Sequence, residues 1–248
     1  MIKALLIILY VGIPSMVLAQ YTAQGKIEFE RKVNIHRQLD DIAAESGGSW
    51  FEKMKSQIPK FVNSYFDLSF NRNGSLYKPG REVENPNKMM FGNTPAADNI
   101  VFTNFQKNSV VATKNVFEEK FLVQDSIRKI DWKILDEVRT IANFKCRKAV
   151  GKIFDSVYVV AFYTDEIMVS GGPEMFAGLP GMILEIAIPR LYSTWVATKV
   201  ETNSPKPEDF KIPEKGKKVS QFEMYENIQS SIKKWGSWAQ RSIWWSML

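Results

Sequence analysis

One cysteine, Cys146, and one histidine, His36, are all that the 248 residues hold of either type. A lone thiol cannot close an internal disulfide. One Cys and one His, with no close-spaced ligand pair, do not make a transition-metal site. Adjacent carboxylates at Asp40-Asp41 and Asp165-Glu166 read as solvated turns rather than hard-cation ligands. Phosphate-cradling loops are missing too. Gly171-Gly172 and Gly178-x-x-Gly181 run into β-like residues instead of a helix. No repeat period and no low-complexity tract appears. No metal and no cofactor are therefore expected.

Charge of one sign is scarce: 33 Lys+Arg stand against 27 Asp+Glu, a net +6. The excess is spread along the chain, densest at Lys215, Lys217 and Lys218, and reads as a solvated face. Nucleic-acid binding would need a basic stripe and a recognisable module, and neither is present. Long apolar runs are also few. Ala4–Val11 follows a positive start at Lys3, with Gly12 and Pro14 behind it, and is short for a membrane span. With Val17-Leu18-Ala19 as the processing site, 1–19 is expected to be a signal peptide, and the chain to be exported. No cysteine follows that site to carry a lipid.

What remains is rich in alternating segments. Lys26–Val33 largely alternates apolar and charged residues, as a half-buried strand does. Phe61–Phe70, a turn at Asn71–Gly74 and Ser75–Lys78 read as a hairpin. Strands are also expected over 99–105, 109–113, 116–122, 128–132, 138–150, 156–163, 182–188 and 193–201. Asn34–Gly48 is mostly polar. Trp50–Ile58 has helical spacing, and the Pro-containing 79–97 reads as a long loop. Many short strands with few helices predict an α+β fold with one large coiled antiparallel sheet over 20–205. A Lys/Pro-rich arm and a C-terminal helix fill 206–248. Within that helix Trp235, Trp238, Trp244 and Trp245 give a broad apolar surface. It either packs over the sheet's open face or meets a partner or membrane interface.

The centre of the pattern is Gly171–Ile186, with four glycines and two prolines ahead of an apolar run. Pro180-Gly181 suits the middle of a type II turn. The stretch carries only Glu174 and Glu185 as ionisable groups, so a geometric role is expected: a forced turn that sets Met182–Ile188 in register.

Four blocks, Trp132–Ile134, Ile141–Ala149, Ala161–Ile167 and Gly172–Ile186, resemble the GLPGLI family of Bacteroidota in order and spacing. The motif residues are Cys146, Gly172, Pro173, Phe176, Gly178, Leu179, Pro180 and Gly181, with Met182 where the name motif has leucine. The resemblance implies an exported periplasmic or outer-membrane-associated protein of unassigned activity, often encoded near TonB-dependent transporters. It also implies a half-barrel like that of periplasmic lipoprotein carriers.

Three functions follow as expectations. The first is a non-catalytic accessory subunit of an outer-membrane complex, docking through the four tail tryptophans and the 79–97 loop. The second is a carrier holding a lipid or peptide in the concavity of the sheet. The third, placed last, is a thiol-dependent enzyme using Cys146 with His36 as base.

Overall fold

The computed structural model describes residues 21–46, 53–82, 94–154, 156–232 and 238–248. The expected signal peptide and most of the 79–97 loop lie outside them, as do the first residues of the Trp50–Ile58 helix. Of that helix only 53–55 are helical among the described residues.

Among the described residues twelve strands form one sheet. They are β1 (Gly25–Asn34), β2 (Phe61–Phe70), β3 (Gly74–Pro79), β4 (Ile100–Asn104), β5 (Ser109–Val116) and β6 (Glu119–Ser126). Then come β7 (Lys133–Ile141), β8 (Phe144–Ile153), β9 (Val157–Thr164), β10 (Met182–Ile188), β11 (Ser193–Glu201) and β12 (Lys217–Val219). Helices are α1 (Ile35–Ser46), α2 (Gln221–Ile232) and α3 (Trp238–Ser246).

The order β12-β6-β5-β4-β3-β2-β1-β11-β10-β9-β8-β7 is two meanders back to back. Within each meander a strand pairs with its sequence neighbour, and β1 zips to β11 along a central seam, Arg31 opposite Trp195. One pair departs from the antiparallel expectation. β12 lies parallel on β6, Lys217 opposite Phe121, so the sheet is mixed. The Lys/Pro-rich arm thus supplies an edge strand, and α2 after it packs on β6.

Residues 128–132, expected as a strand, are irregular and lead into β7, and two other departures have local causes. Val138–Val150 reads as one strand but is a hairpin: Ala142 and Asn143 both take positive φ, 47° and 70°, and form the two-residue turn between β7 and β8. Two left-handed residues match the twist of flanking strands. The second is α1, in a segment too polar to suggest a helix. Asn34 caps it by accepting the Arg37 N–H at 3.1 Å, the usual role of asparagine at a helix start. Of its described side chains only Leu39 is buried, with Ile35 and Ile42 half-buried.

One face of the sheet is the core. A register row Ile27–Leu68–Tyr77–Val101–Ala112–Val123 crosses six strands with every side chain buried. A second row, Arg31–Trp195–Ile186–Ala161–Ala149, crosses the other half. The sheet curls toward this face. Trp195 Nε1 donates to Tyr77 Oη at 3.2 Å although β1 and β2 lie between their strands. Three strand spacings on a flat sheet would be about 14 Å. α3 lies over the concavity, with Trp245 at 6.0 Å from Trp195, ring centre to ring centre. Among the described residues no helix is long and apolar enough to cross a membrane.

Candidate functional site: a buried polar cluster and its cavity

The Gly-Pro stretch lies inside the molecule. From Gly171 to Ala177 every residue is buried. Pro173 O accepts from Phe176 N–H at 3.2 Å, a tight turn with Glu174 in left-handed conformation, φ 52°. A non-glycine residue there costs roughly 1–2 kcal/mol. The conformation aims the carboxylate inward, where it is satisfied. Around Pro180 the turn is tighter than the type II expected. Gly181 N–H donates to Leu179 O at 2.8 Å, and Met182 N–H donates to Ile167 O at 3.2 Å. The first of these closes a three-residue turn. Ser170 Oγ and Trp132 Nε1 hold the Leu179 and Ala177 carbonyls at 2.6 and 3.0 Å.

Glu174 is the hub of a polar cluster in the concavity. Its two oxygens accept from Asn99 Nδ2 at 2.8 Å and Tyr77 Oη at 3.3 Å. Tyr77 in turn accepts from Trp195. Two cations complete it, each on a strand position that alternation assigns to the core: Arg31 between Phe29 and Val33, Lys114 between Ala112 and Val116. The Arg31 guanidinium donates to Pro95 O at 2.8 Å and Thr94 Oγ1 at 2.6 Å. Its Cζ lies 4.9, 5.5 and 5.9 Å from the ring centres of Phe66, Trp245 and Trp195. A weakly hydrated cation among aromatic faces regains electrostatically part of what it loses in hydration, and burial still holds Arg31 below the usual guanidinium range. Lys114 Nζ donates to Ser246 O at 3.3 Å.

Burial dominates the protonation of this cluster. It raises Glu174 above the usual carboxylate range, with Lys114, Asn99 and Arg31 opposing. It also raises Tyr77 well above its usual value, helped by Glu174. Lys114 is brought down to about 7 by loss of hydration, against the pull of Glu174.

An amine held below its unfolded value binds fewer protons in the folded state. Lys114 therefore costs stability at neutral pH, and the cost fades as pH rises from about 7 toward 10.5. The stability of the wild type relative to Lys114→Met is expected to rise by about 2–4 kcal/mol over that window. Urea denaturation at several pH values measures it, and parallel curves for the two proteins would refute it.

Beside the cluster lies a cavity of about 410 Å³. Its walls are the 94–99 loop, Asn115–Phe117 at the end of β5, and Ser242, Trp245 and Ser246 of α3. Arg31 pins one wall through Thr94 and Pro95, and Glu174 holds Asn99 on it. The carboxylate of the glycine-rich stretch thus fixes a cavity residue through one hydrogen bond. A second, apolar groove of about 680 Å³ runs between the β5–β6 turn and α2, lined by Val116, Phe117, Phe121, Ile228 and Ile232 among others.

The residues singled out in the sequence do not gather at one place. Gly172, Pro173, Phe176, Gly178, Leu179, Pro180 and Gly181 form the folded-in stretch that carries Glu174. Cys146 sits elsewhere, fully buried on β8, on the opposite face from Ala149. Its Sγ donates to Phe144 O at 3.5 Å, and burial pushes the thiol up to about 12. His36 is bound to Ile58 O at 3.1 Å. A thiol held that high has almost no thiolate at neutral pH.

Of the tryptophans, Trp245 is in the core and Trp244 is half-buried under Arg190, whose Cζ is 5.4 Å from the ring centre. Trp235 lies outside the described residues; α3 begins at Trp238. Asp40 and Asp41 are tied to Lys55 and Arg241, and Glu166 accepts from Lys145 N–H at 3.2 Å. No group of three His, Cys, Asp or Glu able to hold a metal occurs among the described residues.

Sequence reasoning missed the cluster itself. Its signal was available: a charged residue in the apolar register of a strand, at Arg31 and again at Lys114.

Fold and site together define a large, curled, mostly antiparallel sheet whose interior is filled by its own side chains and a buried ion cluster. A family profile described as "Protein of unknown function (Porph_ging)" matches residues 151–185, from β8 into β10 and including Glu174. The fold is similar to solved structures of PNGF-II in two crystal forms. One has a TM-score of 0.52 and 15% identity, covering 83% of this chain and 32% of that one. The other has a TM-score of 0.51 and 14% identity, covering 90% and 33%. This chain thus spans about a third of the PNGF-II chains. No curated protein matches it.

Proposed function

We propose that this chain is an exported, non-catalytic binding module, an accessory subunit of an outer-membrane complex of the kind built on a TonB-dependent transporter. One observation carries the binding reading. Among the described residues the cavity beside the buried cluster is lined by amides, hydroxyls, an indole, apolar side chains and one carboxylate, Asp98, with no Cys, His or Lys among them. Such a set can hold a molecule but offers no acid–base pair and no activated nucleophile. Export and the envelope partner rest on the N-terminal segment and on the GLPGLI-type stretch, most of which lies within the 151–185 match to a family of unknown function. A half-barrel of the lipoprotein-carrier kind agrees with the curl of the sheet.

The carrier reading has one observation in its favour, in a different place from that expected. The floor of the concavity is packed: Phe29, Phe66, Leu68 and Trp195 are within 1% of complete burial. The apolar groove between the β5–β6 turn and α2 is the space left for a lipid or peptide tail.

The test is capture of the tagged full chain from detergent-solubilised envelopes. Enrichment of an outer-membrane β-barrel protein over an unrelated exported control is the expected result; recovery of the chain alone would overturn the accessory role. Native mass spectrometry of the same eluate decides the carrier reading, which requires a co-purifying lipid or peptide.

A further inference from the structure

We propose that the cavity walled by the 94–99 loop, the end of β5 and α3 binds a neutral polyhydroxylated molecule, of the class of a mono- or disaccharide. The inference rests on the binding-module reading and gives it a ligand class. The cavity measures about 410 Å³. Small-molecule sites run from roughly 300 to roughly 1000 Å³, so a one- or two-ring ligand fits the space.

The wall chemistry selects the class. Asn99, Asn115, Asp98 and Thr94 line one space with amides, a carboxylate and a hydroxyl, and the Ser246 hydroxyl beside them donates to Ser242 O at 2.8 Å, which leaves it as an acceptor. Amides and hydroxyls both donate and accept, as a ligand of adjacent hydroxyls requires. Pro95, Val116 and Phe117 add apolar wall for its C–H faces. A second observation points to a missing partner. Trp245 lines the cavity and is 2% exposed, yet its indole Nε1–H has no acceptor among the described residues. A buried donor left unmade is costly, and a ligand hydroxyl is an acceptor of the right kind.

Charge excludes the alternatives. Arg31 and Lys114 behind the wall are offset by Glu174 within the cluster and by Asp98, whose charge Arg31 feels. With Glu174 and Asp98 set against Arg31 and Lys114, neither sign of charge is left over to draw an anionic or a cationic ligand. An apolar ligand would desolvate the whole polar wall.

The site is also held before any ligand arrives. Arg31 fixes Thr94 and Pro95 from behind. Glu174 takes the Asn99 Nδ2 donor at 2.8 Å, which leaves the Asn99 carbonyl oxygen for a ligand hydroxyl.

The experiment titrates the full chain with glucose, N-acetylglucosamine and maltose, and with citrate and spermidine as charged probes, read by tryptophan fluorescence and saturation-transfer NMR. Asn115→Leu is the variant, because Asn115 is exposed at the strand end and its loss leaves the core intact. At least one saccharide is expected to bind, about tenfold more weakly in the variant, with the thermal midpoint unchanged. Binding of citrate or spermidine without any saccharide would overturn the ligand class. No binding at millimolar concentration, or saccharide binding unaltered in Asn115→Leu, would overturn the site. None of these outcomes touches capture of an envelope partner, so failure of the ligand class and failure of the module reading are distinguishable.

Discussion

Ending the chain after Ile232 is expected to abolish cooperative folding. The residues removed include Ile243, Trp245, Met247 and Leu248, all buried against the sheet. Each contributes about 1.5–3 kcal/mol by burial, and together they match a whole domain's net stability of about 5–15 kcal/mol. The cut also strands buried cations. Lys114 loses the Ser246 carbonyl, Arg128 loses the Met247 carbonyl at 2.6 Å, and Arg31 loses the Trp245 face. Urea denaturation read by fluorescence should show no sigmoidal transition, and a hydrophobic dye should bind without denaturant. A truncated chain with the full-length midpoint would show that α3 is peripheral. Docking therefore has to be tested with point variants, because a tail deletion removes the fold together with any interface.

Gly181→Val is the second large effect expected, a loss of about 4 kcal/mol or more. Gly181 has φ 147°, and a Cβ added there would stand 2.0 Å from Thr164 O and 2.7 Å from Thr164 C. These are backbone atoms of β9, paired with β10 through Thr164 and Met182. Neither side can yield without breaking the β9–β10 ladder. The strain adds to the collision, because this backbone region is open to glycine and rarely to a branched residue. Equilibrium unfolding of the purified variant measures the loss, and a change under about 1 kcal/mol, the size of an ordinary substitution, would mean that the path through Gly181 is adaptable.

Most of the sheet was legible because a two-residue period survives in the sequence wherever one face is buried. It marked β1, β2, β10 and β11 nearly to their ends. It failed at Ala142-Asn143, where a tight turn sits inside an unbroken apolar–polar rhythm, and at α1, whose buried stripe is too narrow to register. The parallel pairing of β12 was hidden because three residues, Lys217–Val219, carry no pattern.

The polar cluster was the least legible part. Glu174 lies among glycines and prolines, and its left-handed turn shows only in three dimensions. Arg31 did show, as a break in apolar alternation, but a single charged residue in a strand is read as an edge or a solvated position; Lys114 fell in the gap read between strands 109–113 and 116–122, where the structure continues β5 to Val116. Only the curl of the sheet brings Glu174, Tyr77, Arg31 and Lys114 together from four distant segments.

The seam between β1 and β11 has a kinetic consequence. Lys26 ends up opposite Glu201, so β1, the first strand made, waits for nearly the whole sheet before its second edge is paired. Such long-range closure is slow. During that wait its apolar stripe, Ile27, Phe29 and Val33, is an open template for another copy. Arg31 places a charge in the middle of the stripe. Inward-pointing charges discourage edge-to-edge pairing. The residue that ends in an aromatic cage thus begins as a guard against aggregation, and only Trp195, arriving on β11, gives it shelter.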